Sequence, residues 1–77
     1  MAEQFNVHFV YPDESHTEER HRISAEEAIT FAMRAIRRPA AQVGMLEEIL
    51  ITDMGDSCVW HWKFGKGVVF DGQNLNE

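Results

Sequence analysis

The sequence predicts an α+β domain of two layers, a single helix packed on an antiparallel sheet in the order β-β-α-β-β-β. Three observations carry that expectation. Residues 4–11 alternate Phe5, Val7, Phe9 and Tyr11 against Asn6, His8 and Val10, the period of two that marks a half-buried strand. Residues 24–38 hold the chain's one clear helical period, with a start and a stop signal. Residues 58–64 place Cys58, Trp60, Trp62 and Phe64 on one side of a strand and Val59, His61 and Lys63 on the other.

The elements follow in order. After the first strand, Pro12-Asp13-Glu14-Ser15 is turn chemistry, because Pro presets φ and Asp and Ser bond nearby backbone. Residues 16–23 read as a polar strand with Thr17, Glu19, His21 and Ile23 on one side, charged as edge strands are when they must resist pairing. Ser24 with Glu27 three residues later forms a capping box, the hydroxyl accepting a helix N–H and the Glu reaching back to the N-cap amide. Ala25, Ala28, Ile29, Ala32 and Ile36 make the apolar stripe, widened by Phe31, Met33 and Ala35. Glu26 and Glu27 complement the positive end of the helix dipole, and Arg34, Arg37 and Arg38 the negative end. Pro39 disfavours the helical region for Arg38 and stops the helix there.

A one-turn or irregular connection follows, broken at Gly44. Residues 47–53 carry Ile49, Leu50 and Ile51 as a short buried strand, and Met54-Gly55-Asp56-Ser57 turns the chain into the aromatic strand. Gly65-Lys66-Gly67 makes a tight turn with positive φ, residues 68–70 are a last short strand, and 71–77 a polar tail expected to fray. One domain, 1–77, accounts for the whole chain. A four-turn helix covers only part of a five-stranded sheet, so some aromatic surface is expected to remain exposed as an interface.

Composition narrows the function. Thirteen acids against seven bases give a net charge of −6, the wrong sign for a protein that grips nucleic acid directly. The acids come in pairs, Asp13-Glu14, Glu18-Glu19, Glu26-Glu27 and Glu47-Glu48, with Asp53, Asp56 and Asp71 on expected turns. No apolar run is long enough for a membrane span, and the N-terminal residues lack the basic and apolar regions of a signal peptide. Cys58 is alone, so no internal disulfide forms, which suits a reducing cytoplasm. Four histidines invite a metal, but Cys58 and His61 fall on opposite sides of a strand. His8 and His61, on the outward face of neighbouring strands, lack a third ligand. No metal and no cofactor are expected. Cys58 on the aromatic side reads as a small buried hydrophobe rather than a nucleophile, and Gly65-Lys66-Gly67 lacks the Ser/Thr and helix of a phosphate loop. The expectation is a protein without enzymatic activity.

What remains is a protein-binding module. Paired acids select a basic partner, a protein or a nucleic-acid-binding complex, and an aromatic anchor at Trp60 and Trp62 would supply affinity. Charge position nominates Asp13, Glu14, Glu18, Glu19, Asp53 and Asp56. A small acidic chain with one helix (24–38) on a short antiparallel sheet (5–11 and 47–70) resembles the phage-encoded anti-CRISPR proteins in size, charge and layout. The resemblance implies an inhibitor in the host cytoplasm that blocks the basic DNA-binding surface of a CRISPR effector complex, of type I. The competing reading is a bacterial housekeeping or regulatory domain acting as a homodimer through edge strands or the spare aromatic face, and a third class is a toxin–antitoxin or regulatory partner.

Overall fold

A computed structural model describes residues 3–72. Strand β1 (Phe5–Val10) turns into β2 (His16–Ile23), and helix α1 (Ala25–Ile36) follows directly. A one-turn helix α2 (Pro39–Gln42) leads to β3 (Glu48–Asp53), β4 (Cys58–Lys63) and β5 (Gly67–Asp71). The five strands form one sheet in the order β2-β1-β3-β4-β5, with every neighbouring pair antiparallel. The expected element order is therefore the observed one. α1 carries the chain from β2 at the edge back past β1, so that β3 pairs with the other side of β1.

Register explains the core. Val7 faces Ile51 and Phe9 faces Ile49 across β1–β3, while Ile49 faces Trp62 and Ile51 faces Trp60 across β3–β4. Directly opposed residues share a face, so these side chains and Phe5 line one side of the sheet. All are buried, with Ala28, Ala32 and Ala35 of α1 above them. Alanine at those positions puts little side-chain volume into the contact and lets the helix axis approach the strands. Ile29, Phe31 and Ile36 pack at the margin of this core. Met33, expected to widen the stripe, is exposed.

The helix ends behave largely as their residues dictate. Glu27 N–H donates to Ser24 Oγ at 3.1 Å. The Glu27 carboxylate accepts from the same hydroxyl at 3.2 Å instead of reaching back to the N-cap amide. α1 stops at Ile36 with Arg37 as C-cap, and Arg38 is extended (φ −69°, ψ 149°) as the N-cap of α2, with Pro39 opening that turn. Only Arg34 of the three expected arginines lies in the last turn of α1.

Two strands depart from simple alternation. β2 is bulged twice, between the partners of Phe5 and Val7 and between those of Val7 and His8. Thr17 faces Phe9, Arg20 faces Val7 and Ile23 faces Phe5, so the expected row Thr17, Glu19, His21, Ile23 does not form. Arg22 sits in the left-handed region (φ 54°), and its N–H donates to Oδ1 of the buried Asn6 at 2.9 Å. In β4 a bulge sets Cys58 across from Thr52. It leaves the Trp60–Trp62 row and is exposed rather than buried. Phe64, expected at the end of that row, lies past the strand and is exposed.

Gly44 lets the segment before β3 lie close to the end of β4. Its φ is +82°, and a Cβ there would meet the Phe64 ring at 3.0 Å. Phe64 N–H also donates to the Glu47 carbonyl at 2.8 Å. Of the stretch expected to fray, Asp71 belongs to β5 and Gly72 N–H donates to the Val59 carbonyl at 2.9 Å. Residues 73–77 lie outside the described residues. Among the described residues no helix is long and apolar enough to cross a membrane.

Candidate functional site

The nominated acids do not form one patch. Val10 faces Glu48 at one end of the β1–β3 pair and Phe5 faces Asp53 at the other. At the rise of an antiparallel strand, those ends stand about 17 Å apart. Asp53 and Asp56 occupy the second end, in the β3–β4 turn, and Asp53 is engaged there. Its Oδ1 accepts from the N–H groups of Gly55 (2.9 Å) and Ser57 (3.0 Å), so it holds the turn rather than a partner.

At the first end the fold assembles something the sequence hid. The β1–β2 turn and the start of β3 come together, and a shallow cleft forms between them. Val10, Tyr11, Pro12, Asp13, Glu14, Glu47 and Glu48 line it. Two acid pairs more than thirty positions apart in sequence thus converge on one concavity. The turn is held by Tyr11 N–H to the Ser15 carbonyl (2.8 Å) and Glu14 N–H to the Tyr11 carbonyl (2.9 Å). Asp13 Oδ1 accepts from the Ser15 hydroxyl (2.5 Å) and N–H (3.0 Å). Those two bonds, the hydroxyl first, hold the Asp13 carboxyl below its ordinary pKa.

The four carboxylates differ in freedom. Glu48 Oε1 lies 2.6 Å from His61 Nε2, both side chains being about one-quarter exposed. Glu14, left-handed at φ 69°, and Glu47 make no side-chain hydrogen bond or ion pair with any described residue. They are the groups at the cleft available to an incoming cation.

Glu18 and Glu19 lie outside the cleft, on β2. Glu18 faces His8 across the strands and pairs with His21 at 2.6 Å, while Glu19 Oε2 accepts from the Thr17 hydroxyl at 2.5 Å.

The aromatic anchor is not where the sequence suggested. Trp60 is 0% exposed and Trp62 7%, because their face is the one the helix side covers. They are core residues and cannot serve as a surface anchor in this fold. Among the described residues the exposed large apolar side chains are instead Met33 and Met54, together with Val43, Met45, Phe64, Val68, Val69 and Phe70. Sequence reasoning had a signal for these, since Val68, Val69 and Phe70 end the sheet beside a glycine turn. The Trp pair simply outweighed them.

The chemistry-bearing side chains are dispersed. His8 and His61 both face Leu50 from opposite sides, so β3 separates strands that were expected to be neighbours. Two strand spacings put them about 10 Å apart, too far for one ion to bridge. His8 Nε2 instead lies 3.0 Å from Thr52 Oγ1. No three His, Cys, Asp or Glu among the described residues gather as metal ligands. Cys58 Sγ lies 3.4 Å from the Trp60 carbonyl, and local burial pushes the thiol up, the opposite of what a nucleophilic thiolate needs.

A separate cationic feature lies across the helix side. Phe31 stacks on Phe9 with centroids 5.7 Å apart, and the guanidinium carbons of Arg20 and Arg38 lie 4.1 and 5.5 Å from the Phe31 centroid. These arginines shield a half-buried ring, a structural use of their charge. Compared with known proteins, the chain matches no family model, no curated protein and no solved structure.

Proposed function

We propose that this protein is a non-enzymatic binding module that presents an acidic cleft to a basic protein surface. The observation that carries the reading is the convergence of Asp13 and Glu14 with Glu47 and Glu48 around Val10, Tyr11 and Pro12. Carboxylates set beside Val10, Tyr11 and Pro12 steer a cationic partner by charge and hold it by contact. Glu14 and Glu47 take the partner's Arg or Lys groups, while Asp13 and Glu48 are already oriented by Ser15 and His61. The partner class is a basic groove of a nucleic-acid-binding complex. By its size, charge and layout the module acts as an anti-CRISPR inhibitor that occupies the DNA-binding surface of a type I effector.

The test is phage plaquing on hosts with active CRISPR systems, with and without this protein expressed. Restored plaquing on one system is the expected result, with capture of that effector by the purified protein. Glu14→Lys with Glu47→Lys should then abolish rescue and weaken capture at least about tenfold, since neither side chain supports the fold. Asp56→Lys, at the far end, should leave both intact. Rescue that survives the double reversal would sink the acidic-cleft reading.

A further inference from the structure

We propose that Arg20, Arg34 and Arg38, gathered about the ring of Phe31, form a docking site for the carboxylates of an acidic protein segment. This inference is independent of the acidic cleft, which takes a partner of the opposite charge.

The fold draws the three cations together from separate elements. Arg20 lies on β2, Arg34 on α1 and Arg38 at the junction of α1 with α2, and all three are exposed. The guanidinium carbons of Arg20 and Arg38 lie 4.1 and 5.5 Å from the Phe31 centroid. Two like charges therefore stand within about 10 Å of each other and repel. Arg34, three positions after Phe31 and so its neighbour on the helix surface, lines one concavity with Arg20 and that ring.

Nothing in the described fold neutralises this cluster, although the chain holds thirteen acids. Glu18 and Glu48 pair with histidines, and none of the three arginines pairs with a carboxylate among the described residues. Arg20 gives one N–H to the Glu19 carbonyl at 2.6 Å, whereas Arg34 makes no side-chain hydrogen bond with any described residue. Shielding the Phe31 ring accounts for Arg20 and Arg38 but not for Arg34. A bound anion relieves the repulsion and fills the open donors.

Charge and shape choose which anion. Each planar guanidinium offers paired N–H donors that match the two oxygens of a carboxylate. Glu26 and Glu27 line the same concavity, so it repels a dense anion such as a nucleic-acid backbone, which the net charge of −6 also opposes. Carboxylates spaced along a polypeptide reach the arginines singly and leave those two acids uncrowded.

Titration of the full chain with a blocked synthetic peptide of alternating Glu and Ala tests the proposal, read at the arginine Nε–H resonances by NMR. The expected result is saturable shifts at Arg20, Arg34 and Arg38 that weaken as salt is added. Arg34→Glu should weaken binding at least about tenfold with the far-ultraviolet spectrum unchanged. Lys66→Glu, in the β4–β5 turn, alters net charge equally and should leave binding intact. If Arg34→Glu fails to fold, Arg34→Ala against Lys66→Ala replaces the pair with the same expectation. Absence of saturable shifts at the three arginines overturns the proposal. So does binding that survives the folded Arg34 variant, equal weakening by the Lys66 variant, or tighter binding of inorganic phosphate or a single-stranded oligonucleotide than of the peptide.

Discussion

The sheet's two edges are built from opposite materials. β2 is eight residues long, and its sequence His-Thr-Glu-Glu-Arg-His-Arg-Ile is almost wholly polar. Two bulges break its ladder, and Arg22 takes a left-handed conformation beside Asn6. β5 is five residues long, with a single register shift against β4 and three exposed apolar residues at its centre. Charge and irregularity both obstruct edge pairing, because an added strand would bury unpaired ions and meet a ladder out of register. The chain applies both devices to β2, whereas β5 has one register shift and no charged residue before Asp71. Edge protection is therefore deployed selectively, and the less protected edge is the better candidate for contact.

The largest expected effect separates the core beneath β4 from the surface of β5. Trp60→Ala empties a fully buried site and should cost about 3–5 kcal/mol, enough to unfold much of a domain this small. Phe70→Ala, one strand outward and half exposed, should cost well under about 1 kcal/mol in the monomer. Urea denaturation followed by circular dichroism reads both at a concentration where the chain is monomeric. Comparable losses would mean that β5 is core rather than edge. The Trp60 indole N–H has no acceptor among the described residues, so Trp60→Phe should be much milder than the alanine change.

A smaller effect concerns how β2 is kept irregular. Asn6 is the one buried polar residue among the described residues, and its Oδ1 satisfies the Arg22 N–H at the bulge. Asn6→Ala leaves that N–H without its partner and should cost about 1–3 kcal/mol. If the bulge instead relaxes into a regular pair, the loss will be smaller and a smoother edge will raise the tendency to associate. Denaturation and sedimentation on the same variant distinguish the two.

How much of this was legible in the sequence follows from which forces act locally. The helix start at Ser24, its break before Pro39 and the turn at Pro12–Ser15 depend on neighbours a few positions away, and each appears at or near the expected residues. β2 did not alternate as expected, because Asn6, sixteen positions earlier, anchors its bulge. Cys58 left the Trp row because of a register shift against β3, which no pattern within residues 58–64 encodes. The same limit explains the acids. Glu14 and Glu47 are far apart in sequence and meet only once β3 pairs with β1, whereas Asp53 looked free and is spent on its own turn. The Trp pair misled because alternate aromatics mark a buried face and a contact face alike, and only the position of α1 decides between them.

The smallest effect lies in the hairpin that joins β1 to β2. Ser15 holds the Asp13 carboxyl below its ordinary pKa through its hydroxyl and N–H. The native turn therefore binds a proton more weakly than the unfolded chain does. The sign follows by linkage: this contribution is fully present above the unfolded carboxyl pKa and is lost as pH falls through the lowered native one. Because Asp13 is at the surface, solvent and salt screen much of the effect. Ser15→Ala removes the hydroxyl bond and should bring the Asp13 pKa back toward its ordinary value in a carbon-detected NMR titration, while leaving the β3–β4 turn unchanged. The variant should also flatten the acid limb of the stability profile slightly. An Asp13 titration unmoved by Ser15→Ala would show that the Ser15 N–H, not its hydroxyl, holds the Asp13 carboxyl below its ordinary pKa.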